Sequence, residues 1–225
     1  MTVLDVGQGQ CIILQSKDSC FVVDCGGDYS SGAADLAAQT LRSCGIQQID
    51  GLILTHFDAD HSGGAEFLLA QMDVVQIYAP DEDRSDVNYV YRKVRKEMVL
   101  DCGDATISVL PGEKGKTGNE SSLCILFQAK NCDILITGDR NSSGERYLID
   151  HYDIPKLEVL VAGHHGSDSS TSLYLLQKTR HAAVVISVGE NNRYMHPSED
   201  VLRRLERFDS IVWRTDEDGT IIIRG

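Results

Sequence analysis

The sequence predicts a mixed α/β fold in which two sheets pack face to face with helices outside. Three observations carry this. Short apolar runs rich in β-branched residues recur along the chain, segments of helical period fall between them, and the runs cluster like hairpins. Strict βαβ alternation would indicate a doubly wound sheet. Clustered strands with interspersed helices fit a four-layer αββα sandwich better.

In chain order, strands are predicted at 11–14, 21–24, 51–55, 74–79, 105–110, 123–128, 133–137, 157–163, 182–187, 210–213 and 220–224. Several are apolar at consecutive positions, the pattern of a strand covered on both faces. Helices are predicted over 33–44 and 65–72. Over 85–98, Val87, Val90, Tyr91 and Val94 fall on one stripe with a basic face opposite, which predicts another helix. Segments 143–152, 171–179 and 198–208 complete the set, and the last opens on Pro197-Ser198, good helix-start chemistry. PGEKGKTGNESS at 111–122 reads as a polar surface loop, not a linker, so residues 1–225 are taken as a single domain.

Composition narrows the function. A chain of 225 residues can bury a sizeable core. Its net charge of -13 excludes a broad electrostatic footprint on duplex DNA. Phosphate chemistry would then need bound cations to supply positive charge locally. No apolar run approaches the ~20 residues of a membrane span, and no basic-then-apolar leader is visible, so a soluble domain is expected. The cysteines are odd in number with no CxxC pair, which argues against a disulfide framework and a zinc ribbon.

The chemistry concentrates in THFDADHSGG, residues 55–64, which sets His56, Asp58, Asp60 and His61 directly after a buried strand. Metal binding needs neutral imidazoles and ionised carboxylates brought to one point. The arrangement recurs twice. LITGD ends a strand in Asp139, and LVAGHHG ends another in His164 and His165. One aspartate after a strand is usually a turn former; three strand ends carrying ligand-type residues indicate a shared site.

These motifs resemble the metallo-β-lactamase superfamily, whose usual signature is HxHxDH. More narrowly, LDVGQGQC (4–11), VVDCGG (22–27), THFDADHSGG, NESSLCILF (119–127), LITGD (135–139), GHHGSDSST (163–171), NNRYMHP (191–197) and RTDEDGTIII (214–223) are similar to the C-terminal domain of ComEC-type DNA-uptake (competence) proteins. The resemblance spans nearly the whole chain and implies a metallo-β-lactamase-like αββα fold. It implies two divalent cations: His56 and Asp58 lead the first, Asp60, His61 and one of the GHHGS histidines, His164 ahead of His165, hold the second, and Asp139 bridges. Asp60, His165 and His196 are the residues it implies for catalysis, with His165 facing substrate or supporting the ligands. It implies no small organic cofactor.

Two departures shape the expected metal. Asp58 stands where most members have histidine, and the added oxygen favours Mn²⁺ or Mg²⁺ over Zn²⁺. No histidine occurs between 62 and 150, so the family's mid-chain ligand is missing, with Asn119 or Ser121 near its place. Gln10 replaces the usual acid of the DVGQGD turn.

Supporting residues carry more than one reading. Asp24 is implied as an anchor behind the metal loop, or is a turn aspartate. Asp5, Gln8 and Gly9 form a turn able to face phosphate, or a plain hairpin turn. His196 lies in a loop that closes over the site in the family, and could protonate a leaving 3′ oxygen or hold a phosphate. Ser167, Ser169, Ser170 and Thr171 bond phosphate or cap the next helix. The basic run 92–96 reads as a solvated helix face, and His151 and His181 as structural or surface residues. The expected function is a metal-dependent phosphodiesterase or nuclease that degrades the non-transported strand during DNA uptake, with single-stranded DNA as partner. A membrane channel of a larger competence protein is a second partner, and the domain is then membrane-associated on an unspecified side. Hydrolysis of a small phosphodiester (choline-phosphate or cyclic nucleotide) and a non-catalytic binding module are the alternatives.

Overall fold

The computed structural model describes residues 1–224. One seven-stranded sheet runs, in spatial order, Ile221–Ile222, Thr2–Val3, Ile12–Gln15, Cys20–Val23, Gly51–Ile53, Ile77–Pro80 and Arg92–Val94. The other runs Ile211–Arg214, Ala183–Ile186, Val159–Val161, Cys132–Ile136, Cys124–Ala129, Ala105–Leu110 and Met98–Asp101. A short pair, Gln48–Ile49 with Asp73–Val74, lies apart.

Side-chain alternation builds the layers. In Ile12–Gln15, Ile12 and Leu14 join the core between the sheets while Ile13 faces outward. In Cys132–Ile136, Ile134 and Ile136 face inward and Leu135 outward. Helices Ser30–Ser43 and Ala65–Leu69 cover the first sheet through Ala34, Ala38, Leu41 and Leu68. Helices Ser142–His151, Leu173–Thr179 and Glu199–Glu206 cover the second through Leu148, Leu175, Leu176 and Leu205. Consecutive apolar residues are thus buried on both faces, and the expected four-layer sandwich is present. No helix among the described residues is long and apolar enough to cross a membrane.

One predicted helix is absent. Within 85–98 the chain instead forms strand Arg92–Val94, parallel to Ile77–Pro80, and begins Met98–Asp101. The helical spacing of the valines was coincidental: Val94 is buried between the sheets while Val90 is 91% exposed. The basic residues blunt a sheet edge. Lys93 pairs with Asp83, and Arg95 Nε lies 3.0 Å from Asp81. Their charge is therefore largely neutralised.

Topology positions the site. Cys20–Val23, Gly51–Ile53 and Ile77–Pro80 are parallel in one sheet. Cys132–Ile136, Val159–Val161 and Ala183–Ile186 are parallel in the other. Their carboxyl ends open on one crevice, the usual ligand position in such sheets.

Candidate metal centre

Asp24 is the root of the site. It is fully buried and sits at φ 58, a conformation that aspartate tolerates better than most residues. Its carboxylate accepts from Thr55 N at 2.7 Å, Thr55 Oγ1 at 2.7 Å and Gln10 Nε2 at 2.8 Å, and lies 2.7 Å from His61 Nδ1. These contacts tie two strand ends to the metal loop and turn the other nitrogen of His61 into the crevice, the arrangement that fixes a ligand's tautomer.

The loop itself rests on glycine. Cys25 N donates to His61 O at 2.7 Å and Gln10 N to Asp60 O at 2.9 Å. A Cβ on Gly26 would lie 2.2 Å from Asp60 C and 2.4 Å from His61 N. Gly26→Ala is therefore expected to push both ligands aside, costing about 1–3 kcal/mol. A melting curve and a cation titration test this: the variant melts earlier and loses metal affinity.

Around this root the donors converge. His61 Nε2 lies 2.9 Å from Asp139 Oδ1 and 3.1 Å from His165 Nε2. His165 Nε2 lies 3.4 Å from Asp60 Oδ2, while its Nδ1 faces the Ser187 carbonyl at 2.8 Å. On the other side, His56 Nε2 lies 3.7 Å from both Asp58 Oδ2 and Asp139 Oδ2, and His164 Nε2 lies 3.5 Å from that same Asp139 oxygen. Asp139 thus turns one oxygen to each half. Donor atoms fall within 4.8 Å of one another in three groups: His56, His61, Asp139; Asp60, His61, His165; and His56, Asp58, Asp60.

The chemistry of this set fits bound cations. Ligand atoms ~2.0–2.1 Å from a tetrahedral ion lie about 3.3 Å apart, close to the spacings here. His56 Nε2 is buried without a hydrogen bond, and the only group close to buried Asp139 Oδ1 among the described contacts is His61 Nε2 at 2.9 Å. Such orphaned atoms are costly unless a partner arrives.

Charge balance agrees. Burial opposes a charged His61, yet the carboxylates of Asp139 and Asp24 outweigh it and raise its pKa well above the ordinary value. Burial likewise opposes ionised Asp139, but His61, His165 and His56 hold its carboxyl far below the usual range. Burial also opposes ionised Asp60, and the hydrogen bond from His165 and the charge of His61 override it. Burial and the neighbouring His61 push His56 down, against Asp139, Asp24 and Asp58. Without metal, the raised pKa of His61 keeps a proton on it that offsets part of the carboxylates' charge. A cation must displace it.

With this geometry in place, comparison with known proteins is informative. The metallo-beta-lactamase superfamily profile matches residues 4–190. The chain belongs to the metallo-beta-lactamase superfamily. It is 32% identical over 251 residues to ComE operon protein 3 of Bacillus subtilis (strain 168), covering 99% of this chain and 32% of that protein. It is 29% identical over 226 residues to competence protein ComA of Neisseria gonorrhoeae, covering 98% of this chain and 31% of that protein. The chain therefore spans about a third of the length of these curated relatives. The metallo-beta-lactamase fold protein YhfI from Bacillus subtilis shares the fold, with a TM-score of 0.64 at 12% identity over 98% of this chain and 99% of that one.

Against the superfamily pattern, the two adjacent histidines divide differently from expectation. The sequence put one of the two, His164 ahead of His165, with Asp60 and His61; here His165 Nε2 is the ring nitrogen that lies beside His61 and Asp60, and His164 Nε2 faces Asp139 Oδ2. Both residues have positive φ, 50 and 53, so the backbone turns left-handed and delivers successive rings to one crevice. Ser121 is engaged elsewhere: its hydroxyl lies 2.6 Å from Glu82 Oε1 and 2.8 Å from Gly118 O and donates to one of these two acceptors. Asn119 has its backbone carbonyl engaged by Ser122 N at 3.2 Å.

His196 does lie by the centre, its ring 5.8 Å from that of His164, with Nδ1 buried and unpartnered. Burial, then His164 and His165, lowers its pKa. Asn192 braces its loop, donating to Gly189 O at 2.9 Å and His196 O at 2.6 Å and accepting from His196 N at 3.0 Å.

Other expectations resolve simply. Gly7 N and Gln8 N donate to Asp5 and Asp28 carboxylates, so the glycine turn is a locked hairpin with those N–H groups already occupied. Ser172 caps the helix after GHHG, accepting from Leu175 N at 3.3 Å, and the four residues before it do not. Ser170 instead donates to Arg140 O at 2.8 Å, and Thr171 Oγ1 accepts from Gly163 N at 3.2 Å. His151 is exposed on Tyr147, and His181 is buried against Ser210. Sequence reading missed Thr55, whose hydroxyl reaches Asp24 and lies 3.1 Å from His56 Nδ1. It also missed Arg140, wholly buried, which donates to Ser122 O at 2.7 Å and Leu110 O at 2.9 Å and ties loop 111–122 to the Asp139 strand end. A polar residue directly beside a ligand was the available signal in both cases.

Proposed function

We propose that this domain is a metal-dependent phosphodiesterase acting on single-stranded DNA. The observation that carries the reading is the convergence of five of the chain's seven histidines with Asp58, Asp60 and Asp139 on one half-open crevice. His56, Asp58, His164 and one Asp139 oxygen would hold a first cation. Asp60, His61, His165 and the other Asp139 oxygen would hold a second. The oxygen contributed by Asp58 favours manganese over zinc. When bound, two such cations supply a nucleophile at neutral pH and neutralise charge on the phosphate.

The chain's own residues would do the rest. Asp24 and the Ser187 carbonyl hold His61 and His165 in orientation. His196, kept neutral by burial, offers a hydrogen bond to a phosphate oxygen beside the ligands. The names of the relatives, competence proteins among them, support DNA as the substrate and its uptake as the setting. In that setting the domain would degrade the strand that is not transported, attached to the membrane portion of a larger protein.

Cleavage of a single-stranded oligonucleotide with Mn²⁺, Zn²⁺ or EDTA tests this. Cation-dependent cleavage is expected. Failure on DNA with turnover of a choline-phosphate or cyclic nucleotide ester would move the substrate to a small phosphodiester, and no turnover of any of them would leave a binding module. His196→Ala is expected to lower kcat about 10²-fold with cation content unchanged. The two histidines separate by metal analysis: His165→Ala loses the cation held with His61, whereas His164→Ala retains it.

Protonation gives a further check. Since a proton on His61 competes with the cation, affinity falls as pH falls. Calorimetry in buffers of different ionisation enthalpy should show about one proton released per chain at pH 7. Affinity independent of pH would contradict this.

A further inference from the structure

The metal centre does not end the crevice. A cleft of about 630 Å³ opens beside it, lined by Gln8, Asp60, Gly189, Arg193 and Tyr194 among others. That size suits a small ligand. Asp60 belongs to both cleft and centre, so whatever fills the cleft lies next to the reacting bond.

We propose that this cleft seats one nucleobase of the substrate strand, stacked on Tyr194, next to the scissile phosphate. The proposal rests on the phosphodiesterase reading and specifies how that site engages its strand. Tyr194 is 46% exposed, yet its ring is not loose. It stacks on His196, ring centres 5.7 Å apart at 24°, and Tyr194 N donates to Asn192 Oδ1 at 3.2 Å. The same asparagine fixes His196, so the aromatic platform and the phosphate-facing imidazole are held as one braced unit. A ring fixed before binding spends little ordering entropy when a base arrives.

Arg193 is the one basic side chain lining the cleft among the described residues, with its guanidinium 4.8 Å from the Tyr194 ring centre. An exposed cation–π contact is worth less than base–aromatic stacking. An incoming base therefore displaces Arg193, which is then free to pair with a phosphate of the same strand. Gln8 adds a third element. Its Oε1 accepts from Gly189 N at 3.2 Å, and its Nε2 is buried without a partner, so a shift of this amide toward the cleft would bring a donor to an acceptor on a base edge. Stacking on a single face tolerates every base, which suits an enzyme that removes a strand of any sequence.

An abasic scan tests the proposal. The 225-residue chain with Mn²⁺ cleaves a set of single-stranded oligonucleotides, each lacking one base, and binding of the same set is measured by fluorescence anisotropy with Ca²⁺ in place of Mn²⁺. At one position beside the cleaved bond, wild type should lose roughly 5- to 20-fold in KM and in Kd. Tyr194→Ala should show that loss on intact DNA, in KM and in Kd, with no further loss at the abasic position. Tyr194→Phe should match wild type. An abasic penalty that persists undiminished in Tyr194→Ala, or intact DNA bound equally by Tyr194→Ala and wild type, overturns the stacking proposal while leaving the nuclease reading intact. Absence of cleavage by wild type with every cation tried overturns both.

Discussion

Asp139→Ala is expected to abolish hydrolysis while leaving a folded protein. Each oxygen of this carboxylate faces a different half of the centre: Oδ1 lies 2.9 Å from His61, and Oδ2 lies within 3.7 Å of His56 and His164. Among the described carboxylates, Asp139 alone lies within 4.0 Å of histidines of both halves. Its loss removes a shared ligand, and a cation's charge stabilisation is worth several kcal/mol. At 1.36 kcal/mol per tenfold, kcat/KM should fall by roughly 10³ or more. The fold should survive because Asp139 lies at the end of its strand, outside the apolar clusters that hold the layers together. Metal analysis of the purified variant should show the loss, with far-UV circular dichroism unchanged. A variant that binds and cleaves like wild type would exclude the shared-ligand role.

Asp24→Ala is expected to damage stability as well as chemistry. The carboxylate is wholly buried and serves Thr55 N, Thr55 Oγ1, Gln10 Nε2 and His61 Nδ1. Alanine would leave these donors without an acceptor, each at about 1–3 kcal/mol if nothing relaxes, and would also sit poorly at φ 58. Denaturant melts should show a loss of about 3–5 kcal/mol, the range for breaking a buried pair. Asp24→Asn tolerates the backbone and keeps an acceptor, so it should fold, but it reverses polarity toward one donor. Its cation affinity should drop about 10- to 100-fold, as when the support of a ligating histidine is altered. Equal affinity in Asp24→Asn and wild type would show that Asp24 serves the fold alone.

Much of this was legible because local and long-range signals agreed. Gly51–Ile53, Cys132–Ile136 and Val159–Val161 read as buried strands, and ligand-type residues follow each at its carboxyl end. The αββα layering was legible for the same reason: consecutive apolar positions need cover on both faces. The segment over 85–98 was not legible. An edge strand guarded by lysine and arginine carries the same charges as a solvated helix face, and only its pairing with Ile77–Pro80 distinguishes them. The division between His164 and His165 was equally hidden. Two adjacent imidazoles are chemically identical, and the choice rests on two left-handed backbone angles and on the Ser187 carbonyl, which comes from a distant strand end. Gln10 looked like a departure, yet as a buried amide it donates to Asp24, where an ionised acid would repel it.

The most direct test of the account is diffraction from crystals grown with Mn²⁺, recorded at the manganese absorption edge. Two anomalous peaks are predicted, one among His56, Asp58, His164 and Asp139 and one among Asp60, His61, His165 and Asp139. Crystals saturated with manganese that show no peak between these side chains would contradict it.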